Sequence, residues 1–239
     1  MKDLIDKKQI RLTGFLYLLV IILAGFSQGY VRGSIVVVGD AAATAAKIQQ
    51  NLGLFRLGLT TDLIAFLLDA VISIMLYQIF KPFGKTLALA SSALRLIAHP
   101  AIGSLNLLNH FLAYQVLGDN QLMTTFSADQ LQSLSLLFMH AHRYGYLIAG
   151  AFFGVHMLLL GVLIYRSDIF PHLLGGLLLG AAAGYLMESF GNFTIPGNEA
   201  WLAVMVGITA ALGEVGLTFY MIIKGRKIPE KKSMTPVTS

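Results

Sequence analysis

What most limits the folds open to this chain is a succession of long apolar runs separated by short polar breaks. In order they cover residues 12–30, 54–80, 86–117, 131–165, 171–190 and 201–223. Each is near or above the roughly 20 residues an α-helix needs to cross a bilayer. Only 12% of residues are charged and 56% are hydrophobic, against about a quarter charged in an ordinary soluble domain. The expected class is all-α, an integral membrane bundle of six transmembrane helices. It forms one domain over residues 1–227, with 228–239 expected as a disordered tail. The first run has the basic start of a signal peptide. Its length, the lack of a small-x-small cleavage site and the further runs after it predict a retained helix instead.

The breaks carry the next layer of information. Residues 31–53 read as a longer connection. Within it, alanine-rich 41–50 behind Gly39-Asp40 predicts a short surface helix with an aspartate cap. The turn 81–85 is built of breakers, and Pro100 predicts a kink in the third run. The formal net charge of +5 sits largely at the ends, with Lys7, Lys8 and Arg11 before the first run and Lys224, Arg226 and Lys227 after the last. That distribution fits anchoring beside an anionic leaflet and gives no groove for nucleic acid. Lys and Arg alternate along the chain, rich at the N-terminus, 81–85, Arg166 and the tail, and poor elsewhere. Both termini are therefore expected to be cytoplasmic. No cysteine is present, which excludes disulfides and thiolate metal sites.

Within the apolar runs, His172 at the edge of the fifth aside, lie three arginines, four acids and five histidines, each costly in a bilayer unless paired or wetted. Helical spacing of 100° per residue sorts them onto faces. Asp62 and Asp69 share one face of the second run. Arg95, His99, Asn106 and His110 share one of the third, and His142, Tyr146, Phe153 and His156 share one of the fourth. Gly176, Gly180 and Gly184 fall at the four-residue rhythm of close helix approach. Depth along the runs separates two polar layers, one with Arg56, Asp62, His110, His142, Arg143 and Glu188, the other with Asp69, Arg95, His99, His156 and Glu214. Asp69 with Arg95 is the expected structural ion pair.

This many polar groups exceeds what helix pairing requires, so a polar cavity lined by Arg56, Asp62, His110, His142, Arg143 and Glu188 is expected. A small anionic or amphiphilic ligand, with membrane lipids around it, fits arginines that grip by planar forks. Zinc would have to gather His110, His142 and Asp62 from separate helices, since no His-Glu-x-x-His or His-x-x-x-His occurs. Haem could lie between the His142/His156 and His99/His110 faces. A scaffold or accessory subunit with every polar group paired is the competing reading, and a haem or metal protein the third. No phosphate loop, nucleophile elbow or other catalytic signature is present, so neither an activity nor a cofactor is predicted.

Gly39-Asp40-Ala-Ala-Ala-Thr44, Leu54-Phe55-Arg56-Leu-Gly58 with Asp62 and Asp69, His142-Arg143-Tyr144-Gly145-Tyr146, Phe152-Phe153-Gly154 and Gly184-Tyr185 together carry a resemblance. The chain resembles, over roughly Lys8 to Lys224, a bacterial membrane family catalogued as domain-of-unknown-function family 4386. It departs from that pattern at Lys47, where the family favours Asn. The resemblance implies a polytopic protein of the bacterial inner membrane and implies no activity.

Overall fold

A computed structural model describes residues 7–224; the expected tail at 228–239 lies outside them. Eight helices succeed one another, and no strand occurs among the described residues. They are α1 (Lys7–Ile35), α2 (Ala41–Gln50), α3 (Leu52–Phe83), α4 (85–115), α5 (Asn120–Thr125), α6 (Ala128–Tyr165), α7 (His172–Thr194) and α8 (Glu199–Ile223). Five of these, α1, α3, α6, α7 and α8, are long and apolar enough to cross a membrane. The chain is an all-α integral membrane bundle. The sixth long helix, α4, is not in that group; it carries Arg95, His99, Asn106 and His110 along its length.

Local chemistry sets the helix ends. Gly39 takes a positive φ of 78°, a conformation glycine adopts without steric cost. That turn delivers Asp40, whose Oδ1 accepts from the Ala43 amide at 2.8 Å and caps α2. Helix α6 opens on a reciprocal capping box. The Gln130 amide donates to Ser127 Oγ, and the Ser127 amide donates to Gln130 Oε1 at 2.8 Å.

Packing joins α1 to α3, α3 to α4, α4 to α6, α6 to α7, α7 to α8 and α8 back to α1, a closed ring of six long helices. The α1–α8 contact belongs to one end of the bundle, where Lys7–Gly25 meets Gly216–Lys224. There a Cβ on Gly14 would lie 2.9 Å from Ile222, so the helices touch closely. An apolar core that includes Ile10, Ile79, Phe80, Leu163 and Met221 fills this terminal end. At the opposite end α2 packs on α6 over Val31, Ile48, Phe55 and Met139. There the Glu199–Ala210 half of α8 leans on α7.

Two expectations need correction. Helix α1 does not stop at residue 30; a wide π-helical stretch, Phe26–Arg32, carries it on to Ile35. The connection shrinks accordingly, and Arg32 is drawn inside, where only 7% of it is exposed. A π turn holds an extra residue and so re-aims every side chain beyond it. Pro100 is accommodated in the same way, within the π stretch Ile97–Gly103, which suits a residue that lacks the N–H and crowds the preceding turn. The predicted glycine rhythm is only partly the packing surface. A Cβ on Gly184 would collide with Thr209, whereas one on Gly180 would meet nothing within 4 Å. The tight α6–α7 contact uses Gly161 and Gly175 instead, with a Gly161 Cβ 3.0 Å from the Gly175 carbonyl.

Candidate functional site

Two buried polar clusters occupy the middle of the ring. The first is centred on Arg95 of α4. Its Nε donates to Asp69 Oδ1 of α3 at 2.9 Å, and Nη2 donates to the same oxygen. Its Nη1 reaches Tyr17 Oη of α1 and His156 Nε2 of α6, both at 3.1 Å. The guanidinium lies 4.3 Å from the Tyr17 ring centroid and 5.0 Å from that of Phe153. Tyr17 donates onward to Glu214 of α8 at 2.8 Å, and Tyr185 of α7 donates to the other oxygen of that carboxylate at 2.6 Å. Asp69 Oδ2 also meets His99 Nδ1 at 3.3 Å. One network therefore takes a side chain from every helix of the ring. Arginine donates at His156 Nε2, and the Ser91 carbonyl, 2.9 Å from Nδ1, can only accept. His156 is thus a neutral ring with its proton on Nδ1 and both nitrogens engaged.

The second cluster is centred on Arg32 of α1, a residue that the apolar pattern alone assigns to a connection. Its Nη2 donates to Asp62 Oδ2 at 2.6 Å, Nη1 to His110 Nδ1 at 3.0 Å, and Nε to Gln28 Oε1 at 2.8 Å. His110 Nε2 in turn donates to the Phe55 carbonyl at 2.9 Å. His142 stands edge-on to His110 with ring centroids 5.6 Å apart. Its Nδ1 donates to the Asn106 carbonyl at 3.1 Å, and Asn106 returns an amide bond to the His142 carbonyl at 2.7 Å. Gly145 makes room for this exchange, since a Cβ there would collide with Asn106 Oδ1.

The clusters differ in how completely they are satisfied. No fully buried side-chain atom of the Arg95 network lacks a hydrogen bond among the described residues, whereas three around Arg32 do: Asp62 Oδ1, Gln28 Nε2 and His142 Nε2. Buried polar atoms are rarely left so. A cavity of about 690 Å³ runs between the clusters and reaches both. Arg32, Gln28 and His142 border one end, and Arg95, His99 and Glu214 the other. Its middle wall is apolar, with Val20, Ile21, Phe66, Leu147 and Phe153. Among its lining residues Gly25 of α1 and Gly207 and Ala211 of α8 are exposed where these two helices diverge, and Val38, His140 and Arg143 are exposed toward the α2 end.

Of the residues expected at a cavity, His142, Arg143 and Glu188 border it. Asp62 and His110 stand one layer back, bonded to Arg32. Arg56 is elsewhere: it is exposed and lies over the Tyr114 ring, 5.1 Å from its centroid. Arg143 donates to Asn192 at 3.0 Å. Arg32, Gln28, Tyr17 and Tyr185 were missed. The signal that could have found Arg32 is its four-residue spacing from Gln28 on a continued helix. As for metal or haem, His110 and His156 have both nitrogens committed to protein partners. Among the described residues, no three His, Asp or Glu side chains gather as a ligand set.

Residues 12–225 match the family described as "Domain of unknown function (DUF4386)". The chain is similar to a protein of Archaeoglobus fulgidus described as "Uncharacterized protein", 29% identical over 164 residues, which cover 69% of this chain and 81% of that one. No solved structure matches. With the family pattern running from the first long helix to the last, the chain belongs to the DUF4386 family.

Proposed function

We propose that the protein holds one small amphiphilic ligand in the cavity between its two polar clusters. The observation that carries this is the cavity itself, a largely apolar chamber of about 690 Å³ with charged groups at both ends and a rim between α1 and α8. Its size falls in the range of sites that enclose a single small molecule. The charges around it are Arg32, Arg95 and Arg143 against Asp62, Asp69, Glu188 and Glu214. With no surplus of positive charge, an amphiphile suits the cavity better than a free anion. The Arg95 cluster, satisfied throughout and tied to every helix of the ring, fits the scaffold role, which this reading assigns to that cluster alone.

The same proposal places α4 across the membrane as the sixth span, with both chain ends cytoplasmic in a bacterial inner membrane. Support comes from the ring closure, which sets α4 between α3 and α6 over its length. The alternation of Lys and Arg between the two ends of the bundle points the same way. Native mass spectrometry of the full chain, extracted gently from its own membrane, tests the ligand reading. A reproducible extra mass of one amphiphile is expected, lost when Ala211→Trp fills the rim. Bare chain mass, or a bound mass indifferent to Ala211→Trp, would overturn it.

A further inference from the structure

The unsatisfied atoms at the Arg32 end specify a chemistry. His142 is 2% exposed, borders the cavity, and has its Nδ1–H committed to the Asn106 carbonyl. In the neutral ring Nε2 is therefore a lone-pair acceptor, and it meets no donor among the described residues. Asp62 Oδ1, an acceptor, also meets no donor, but Asp62 stands one layer behind the cavity wall. Beside them Gln28 Nε2, a donor, makes no full hydrogen bond and has the Tyr146 hydroxyl as its neighbour. Arg32 spends three of its five N–H groups on Gln28, His110 and Asp62, leaving two. This corner asks for a group that both donates and accepts. It carries no net charge to hold an ion, since Arg32 and Asp62 neutralise each other at 2.6 Å.

A carboxylate or phosphate only accepts, so it would leave His142 unmatched and bring a second negative charge near Asp62. An ammonium only donates, and would face Arg32 while leaving Gln28 unmatched. A hydroxyl does both without charge. We propose, resting on the cavity reading above, that the Arg32 end is a subsite for the neutral, hydroxyl-bearing head of a single-chain amphiphile. The ligand class is that of a monoacylglycerol. Its hydroxyl donates to His142 Nε2 and accepts from Gln28, and its chain lies along Val20, Phe66 and Leu147 toward the α1–α8 rim. A buried site built to hydrogen-bond a hydroxyl discriminates strongly against analogues that cannot supply it, because its own groups are then left unpaired.

The test uses the full chain in phosphatidylcholine nanodiscs, with binding of monooleoylglycerol, oleate and oleylamine compared by native mass spectrometry. The expected result is monooleoylglycerol bound at least about ten-fold more tightly than either charged analogue. Gln28→Met and His142→Phe should each erase that preference while leaving thermal unfolding within a few degrees of the parent. If His142→Phe fails to fold, Gln28→Met decides alone. Equal binding of all three probes, a preference for oleate, or an unchanged preference in Gln28→Met would overturn the hydroxyl subsite and leave the cavity reading standing. Binding of none of the three would overturn both.

Discussion

Removing Arg95 gives the sharpest test of how the two clusters differ. Arg95→Met deletes both donors to Asp69 Oδ1 and the donors to Tyr17 and His156, and leaves Asp69 with His99 at 3.3 Å. A buried charge stripped of its partner costs about 3–5 kcal/mol, so a loss of about 4 kcal/mol is expected. Asp69→Asn strands the arginine instead. Tyr17 and His156 still take two of its donors, so about 3 kcal/mol is expected. The double variant strands no charge and forfeits mainly the His156 bond and the stacking on Tyr17, about 2 kcal/mol. The pair should then fall about 5 kcal/mol short of additivity, large even for contacting residues. Equilibrium unfolding in mixed micelles with increasing dodecyl sulfate, followed by far-ultraviolet circular dichroism, measures all four proteins. A double variant within about 1 kcal/mol of the summed singles would refute the reasoning. Single losses below that figure would show the charges to be wetted.

The same titration separates the two arginines near the α2 end. Arg32→Gln should cost about 3 kcal/mol because it strands Asp62, while Arg56→Gln, at an exposed site over Tyr114, should cost under about 1 kcal/mol; equal losses would mean that Arg32 is not the buried partner. Orientation is read from single cysteines, since the chain has none of its own. On intact cells a membrane-impermeant maleimide should label Gln50→Cys and Thr125→Cys, and reach Lys85→Cys only after lysis. The reverse pattern would invert the bundle, and Lys85→Cys labelling together with Thr125→Cys would remove α4 from the crossing helices.

Much of the frame was legible in the residues because its causes are local. Asp40 after Gly39 caps α2 where the sequence places it, since a cap needs only a short side chain three residues before an amide. The long helices arise from runs of apolar side chains that no other backbone arrangement satisfies in lipid. Depth along the runs also set Asp69 with Arg95 in one layer and Asp62, His110 and His142 in another, and these are in contact or one shell apart in the structure, although Arg56, assigned to the second layer, is exposed over Tyr114. Arg32 was illegible for a specific reason. Its hydropathy ends a span, and the partners that take it inward, Asp62 and His110, lie 30 and 78 residues further along the chain.

The sequence by itself determined that this chain must be helical, must lie in a membrane and must bury charges there, because those outcomes depend on composition and on spacings within a turn or two. Which charges meet was decided by the tertiary structure. The π turns at Phe26–Arg32, Ile97–Gly103 and Ala211–Val215 each add a residue to a turn and rotate the helix beyond it, bringing Arg32 and Glu214 inward. No local pattern announces such a turn; it persists where partners on neighbouring helices compensate for it. The cavity belongs to the same category, for it exists only because α8 leaves α1 to lean on α7, a choice made between helices nearly two hundred residues apart.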